Sequence, residues 1–311
     1  MSILTIILLL VGFVFLIKGA DFFVEGASDL ATKFSIPSMI IGLTIVAFGT
    51  SAPEAAVSVS SALSGSNAIA VSNVVGSNIF NLLAVIGITA VLYKINITRE
   101  SLTTDFPILL VSSVLLLIFI FTGSVIDRFE GIFLLILIIL YIAYLIFKSK
   151  KESTNMPVGT IHLTTPKILL YIVAGIIGII LGGNMVVNSA KDIALSIGMS
   201  ETLVGLTIVS IGTSLPELIT SVTAAYNKKT DIAIGNAIGS SIFNILFILG
   251  LTTTINPIVT TNIMFIDTAI MTVIIAITFV LAYDKYDFNK KDGIILLALF
   301  IIYMIYIILR N

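Results

Sequence analysis

Apolar residues run along this chain in long blocks with few polar interruptions, and the blocks fall into two sets. The first set lies near 3–26, 37–63, 69–92, 105–122 and 127–147, and the second near 167–189, 200–225, 231–255, 262–283 and 292–309. Each block is about 18 residues or longer, enough for an α-helix to cross the hydrocarbon core of a bilayer. Between the sets lies KSKKESTNMPVGTIHLTTPK, polar and broken by Pro157, Gly159 and Pro166, which reads as a linker. The pattern predicts an all-α polytopic membrane protein with ten transmembrane helices. Residues 1–147 form a first five-helix repeat, 148–166 a linker, and 167–311 a second five-helix repeat. Because five is odd, the second half must enter from the opposite face, giving two inverted repeats with broken helices at the centre.

The two halves share a polar motif. Residues 42–92 begin GLTIVAFGTSAPE and reach GSNIFNLLAVIG, while residues 205–255 begin GLTIVSIGTSLPE and reach GSSIFNILFILG. They align without a gap and about half the positions are identical, a strong sign of an internal repeat. At the same offset Gly19, Ala27, Asp29 and Ala31 match Gly182, Ala190, Asp192 and Ala194. The rest of each half matches weakly, so function is concentrated in its second and third spans.

Composition narrows the options. Only 11% of residues are charged, against about 25% in soluble domains. There is no cysteine, so disulfides, thiolate metal sites and thiol redox chemistry are excluded. One histidine, His162, cannot build a histidine cage and reads as a loop residue. A net charge of −1 argues against a nucleic-acid partner. The first block lacks a basic n-region and reads as a retained helix rather than a signal peptide.

Charge also orients the chain. With the N-terminus outside, the inner loops hold Lys33, Lys94, Arg99, Lys148, Lys150, Lys151, Lys167, Lys228, Lys229, Lys285, Lys290 and Lys291. The outer side holds Arg128, Lys191 and Arg310, an asymmetry that satisfies the positive-inside rule. The expectation is a multi-pass cell-membrane protein with both termini outside and a cytoplasmic linker, in contact with membrane lipids. Lys18, Asp21 and Glu25 read as interfacial pairing and snorkelling. Asp105 and Asp267 read as interfacial residues at span ends.

Each motif places one carboxylate, Glu54 or Glu217, in an otherwise apolar span. An ionisable group there costs about 2.5–3.5 kcal/mol on insertion scales and marks a functional site. Pro53 and Pro216 lack an N–H and should release the carbonyls of Gly49 and Gly212. A released carbonyl must line a protein cavity or find a partner, and a cation is one such partner. Helical spacing puts Thr50 and Ser51 on the face of Glu54, and Thr213 and Ser214 correspond to them. Asn73, Ser77 and Asn81 recur every four residues in the third span, as do Asn236, Ser240 and Asn244 in the eighth. Asn73 and Asn236, a turn further away, read as interhelical hydrogen-bonding groups.

Such an all-oxygen set suits hard cations such as Na⁺ and Ca²⁺. Two glutamates match the charge of one Ca²⁺ or of two Na⁺, and an empty pair favours binding H⁺ as a competing ion. Moving the site empty and doubly charged would be costly, which favours exchange of one ion for another. No resident cofactor is implied. No nucleophile-and-base pair is evident, so the chain does not read as an enzyme.

GTSAPE followed by GSNIFN, and GTSLPE followed by GSSIFN, resemble the alpha repeats of the calcium/cation antiporter superfamily, and in particular prokaryotic Na⁺/Ca²⁺ exchangers. The resemblance covers essentially the whole chain. It implies ten helices in two inverted halves with four ion sites at the centre. It further implies that Glu54 and Glu217 coordinate Ca²⁺, and that Thr50, Ser51, Thr213 and Ser214 serve the flanking Na⁺ sites. Ala47 and Ser210 match positions that offer backbone carbonyls, and Ser77, Asn81, Ser240 and Asn244 match ligands from the third and eighth helices. The first and sixth helices would slide across this core. Potassium-dependent exchangers carry aspartate at the position of Asn244, and Ca²⁺/H⁺ exchangers show GNxxE in place of GTSxPE. The resemblance therefore favours Na⁺/Ca²⁺ exchange by a monomer, with Ca²⁺/H⁺ antiport as the alternative.

Overall fold

A computed structural model describes residues 3–63, 68–152, 163–196, 198 and 210–310. Among these residues the fold is helical and polytopic, with eight helices long and apolar enough to cross a membrane. Two shorter helices, Ser38–Thr50 and Ala52–Leu63, pass the same test together and meet at a 50° bend. The expected span at 200–225 is described from residue 210 onward, as Ser210–Thr213 and Leu215–Tyr226. His162 and most of the linker lie outside the described residues, between helix ends at Glu152 and Thr165.

Burial identifies the centre. The windows of Ile69–Leu92 and Thr230–Ile255 are 83% and 94% buried, whereas the other long helices reach 22–39%. The outer helices turn residues such as Phe121, Phe129, Phe147 and Leu309 outward, as a lipid-facing surface requires. The two central helices carry the asparagine-serine stripes. Both contain a widened π-turn, at Asn81–Val85 (π2) and Asn244–Leu249 (π4); further π-turns lie at Gly42–Val46 (π1) and Ser101–Asp105 (π3). Such turns insert an extra residue per turn and recur at functional sites.

The first helix, α1, runs Ile3–Lys33 (31 residues), and its counterpart Thr165–Ser196 has 32. Both outrun their expected limits of 26 and 189. Asp21, Glu25 and Asp29 end the apolar block without ending the helix, because each finds a partner or the surface. Lys18 pairs with Asp21 at 3.3 Å in an exposed position, and Asp29 accepts the Leu163 N–H at 2.7 Å. Lys229, in the connection before Thr230, feels both Glu25 and Asp29. They raise its pKa, while burial, the larger influence, lowers it.

These two long helices cross along glycines. Gly12, Gly19 and Gly26 face Gly182, Gly178, Gly175 and Ile172. A Cβ added at Gly182 would lie 2.6 Å from Leu16 N and 2.7 Å from Gly12 O. The contact is backbone against backbone, with small residues admitting the close approach.

Short strands join the halves at two places. Ile95 and Asn96 pair with Phe288 and Asp287, and Val125 and Ile126 pair with Val259 and Ile258. The first pairing is reinforced by Lys94 Nζ on Asp287 at 2.7 Å.

Asp105 closes the π3 turn Ser101–Asp105, where the helix begins a turn earlier than expected, and it is 2% exposed. Tyr141 donates to its Oδ1 at 3.1 Å. Asp267 is paired in two places by Arg310, with Nη2 to Oδ2 at 3.1 Å, joining helix Asn262–Lys285 to Lys290–Arg310. Asp267→Asn is expected to cost about 1.5–3 kcal/mol, the range for hydrogen bonds to charged groups. Thermal unfolding of the detergent-solubilised protein checks this, and an unchanged transition would remove the pair from the stabilising contacts.

Candidate ion-binding site

Proline sets the local geometry. The helix Ala47–Thr50 ends at Ser51 (φ −81, ψ 8), and Ala52–Leu63 restarts with Pro53 in its first turn. Pro53 has no N–H for the carbonyl of Gly49, so the ladder cannot run through. The second half repeats the device: Ser210–Thr213 gives way at Ser214 (φ −94, ψ 5) to Leu215–Tyr226, with Pro216 in the first turn. Glu54 and Glu217 therefore sit in the first turns of new helices, where the dipole favours negative charge. Both carboxylates are fully buried, and they lie near enough to repel one another.

Hydrogen bonds to the carboxylates cross between the halves. Ser51 donates to Glu217 Oε1 at 2.9 Å, and Ser214 donates to Glu54 Oε1 at 3.1 Å. This differs from the expectation that Ser51 shares the face of Glu54, because the break at Ser51 interrupts the helical register. Ser77 lies 3.5 Å from Glu54 Oε1 and 3.1 Å from Ser214 Oγ. Thr50 donates to Asn236 Oδ1 at 2.9 Å and lies 3.3 Å from Ser240 Oγ. The Ala47 carbonyl accepts from Ser51 N at 3.0 Å and from Ser240 Oγ at 3.4 Å. Thr213 is half-buried at the end of its short helix; Ser210 opens that helix, and its side chain lies outside the described residues.

Several buried atoms are left over. Among the described residues Glu54 Oε2, Glu217 Oε2, Asn244 Oδ1 and both polar atoms of Asn81 have no hydrogen-bond partner. Buried polar groups are almost always paired, so this group of orphans is itself a signal. Among the described residues no three carboxylate, imidazole or thiolate groups converge. A cation held here would be bound by two carboxylates together with hydroxyl, amide and carbonyl oxygens, the donor set of a hard ion.

These contacts bring Glu54, Glu217, Thr50, Ser51, Ser214, Ser77, Ser240 and the Ala47 carbonyl together, and the structure adds three more groups. Asn73 and Asn236 each donate to the backbone carbonyl of their own half's glutamate, at 3.3 and 3.2 Å. The same amides reach Ser58 and Ser221, at 3.0 and 2.9 Å. These serines, one turn beyond each glutamate, are identical in the two copies of the repeat, and that identity was the available signal. Asn78 is the third, discussed below.

A polytopic helical bundle with two broken helices and a pair of buried carboxylates at its core has the features of an ion-translocating membrane protein. The chain belongs to the sodium/calcium exchanger protein family, whose model matches residues 4–149 and 167–309. It is similar to the sodium/calcium exchanger MaX1 of Methanosarcina acetivorans, 30% identical, with 96% of this chain and 97% of MaX1 covered. It is 35% identical to the inner membrane protein YrbG of Escherichia coli, over 80% of this chain and 79% of YrbG. The solved structure of the sodium-calcium exchanger NCX_Mj soaked with 2.5 mM Na⁺ and 10 mM Sr²⁺ superposes with a TM-score of 0.86 at 28% identity, covering 98% of this chain and 99% of that one. These matches make the chain a prokaryotic calcium/cation antiporter.

Proposed function

We propose that this protein exchanges Na⁺ for Ca²⁺ across the cell membrane by alternating access, with Ca²⁺ held between Glu54 and Glu217. The observation that carries the reading is the state of those two carboxylates. Among the described residues each has one oxygen tied to a serine of the opposite half and the other without a partner, and no Lys or Arg pairs with either. Two negative charges buried together call for a compensating cation. Thr50, Ser51, Thr213, Ser214, Ser77, Ser240, Asn81 and Asn244, with the carbonyls of Ala47 and Ser210, complete the ligands and flanking Na⁺ sites. The similarity to MaX1 and NCX_Mj, both sodium/calcium exchangers, supports the choice of ions.

The architecture behind this reading is ten transmembrane helices in two inverted five-helix repeats, with both termini outside and the linker in the cytoplasm. The strand pairings support it: under the repeat offset Ile95–Asn96 matches Ile258–Val259, and each pairs antiparallel with a strand of the half it does not belong to. A monomer holds the whole site.

The coupling ion is tested by ⁴⁵Ca²⁺ uptake into proteoliposomes loaded with Na⁺, with K⁺, or with acidic buffer lacking both. Uptake is expected only against Na⁺. Uptake driven by the pH gradient alone would assign the chain to Ca²⁺/H⁺ antiport instead.

A further inference from the structure

The two copies of the GSxIFN segment differ at one position, Asn78 against Ser241. We infer that Asn78 is a positioning residue that fixes the amide of Asn244 with its carbonyl oxygen toward the ion cavity. The inference rests on the ion-site reading above.

The orientation follows from a chain of hydrogen bonds whose direction is set at one end. Asn78 Nδ2 donates to the backbone carbonyl of Ser241 at 3.1 Å. A backbone carbonyl can only accept, so the amino group of Asn78 must face it, and the Asn78 oxygen must face the other way. That oxygen accepts from Asn244 Nδ2 at 3.0 Å. The amino group of Asn244 is thereby committed, and its Oδ1 is turned to the opposite side. There it is buried without a partner among the described residues. The ambiguity that attends amide side chains is resolved here by the anchor rather than by choice. Asn244 opens the π4 turn Asn244–Leu249, which packs on Ala52–Leu63, the helix of Glu54, whose Oε2 is likewise orphaned.

The other half lacks the device. Ser241 is too short to repeat the reach and instead donates to Ala237 O, one turn back on its own helix, at 2.9 Å. Asn81, the counterpart of Asn244, therefore has both amide atoms unpartnered among the described residues. One asparagine is a pre-set oxygen donor and the other is free to turn. A pre-set oxygen needs no reorientation when the cation arrives, and that preorganisation adds affinity.

Ca²⁺ affinity, read as the Ca²⁺ dependence of the thermal unfolding transition so that only folded protein reports, is measured for four proteins. These are the wild type, Asn78→Ser, Asn244→Ala and Asn78→Ser/Asn244→Ala. Loss of a partner that orients a metal ligand costs about 10-fold or more in affinity, and Asn78→Ser is expected to show that in the wild-type background. It is expected to show no further loss where Asn244 is already alanine. An equal loss in both backgrounds, or none in either, overturns the inference. If Asn78→Ser does not fold, Ser241→Asn serves: it moves the missing amide to the other half and is expected to tighten Ca²⁺ binding by anchoring Asn81, while unchanged or weaker binding counts against the inference. Glu54→Gln is run alongside. If it leaves Ca²⁺ binding intact, the ion-site reading itself has failed, which is a different outcome from a silent Asn78.

Discussion

Glu54→Gln, and equally Glu217→Gln, is expected to abolish Ca²⁺ exchange while leaving the fold in place. Glutamine keeps the shape and can still accept from Ser214, but it removes one of two charges that a buried divalent ion needs. Breaking a buried charge pair by removing one partner costs about 3–5 kcal/mol, on the order of 10²–10³ in Ca²⁺ affinity. The same change leaves the empty protein with one buried carboxylate to neutralise instead of two, so its thermal stability without ions should rise. ⁴⁵Ca²⁺ uptake and unfolding without ions test the two effects together. Persisting uptake would mean that the carboxylates are not the Ca²⁺ site.

The second large effect is expected at Gly239, beside the site but outside its ligand set. A Cβ there would lie 2.6 Å from Leu43 Cα and 2.7 Å from Leu43 O, where ordinary contact is 3.4–4 Å. The atoms in the way are backbone, so no side-chain rotation relieves the clash. Overpacking of this kind costs about 1–3 kcal/mol. Transport should suffer more than stability, because the next residue, Ser240, meets Thr50 and the Ala47 carbonyl. A binding constellation tolerates displacements of only about 0.5 Å. Gly239→Ala should therefore lose most of its Na⁺-driven Ca²⁺ uptake while remaining partly folded. Gly183→Ala is the control, since its Cβ would meet Pro216 Cγ at an ordinary 3.6 Å. Equal uptake in the two variants would show that the approach of Gly239 to Leu43 is not needed.

How much of this was readable beforehand depends on what a repeat encodes. Helix positions were legible because the bilayer imposes a length on each apolar block. The end of the first helix was not, because Asp21, Glu25 and Asp29 look like the edge of a membrane span when the helix in fact continues through them. The repeat showed which residues are equivalent but not which are neighbours. Ser51 and Ser214 were legible as members of the site, yet that each serves the other half's glutamate depends on the break at each proline. The earlier start of the helix that carries Asp105 was not legible, because a π-turn has no clear signature in sequence. Asn78 was hidden for the opposite reason: it is where the copies disagree, and a search for shared motifs passes over disagreement.

The crossed serines also bear on how the protein is made. Glu54 and Ser214 are 160 residues apart, so the donor that completes this carboxylate is synthesised long after it. At about 5–20 residues per second the ribosome needs about 8–32 s to cover that stretch. Through that interval the first half must wait without the serine that will bond Glu54. The nascent chain is therefore most exposed to membrane quality control midway through translation, and a pause or truncation in the second half would leave the first with an unmet buried acid.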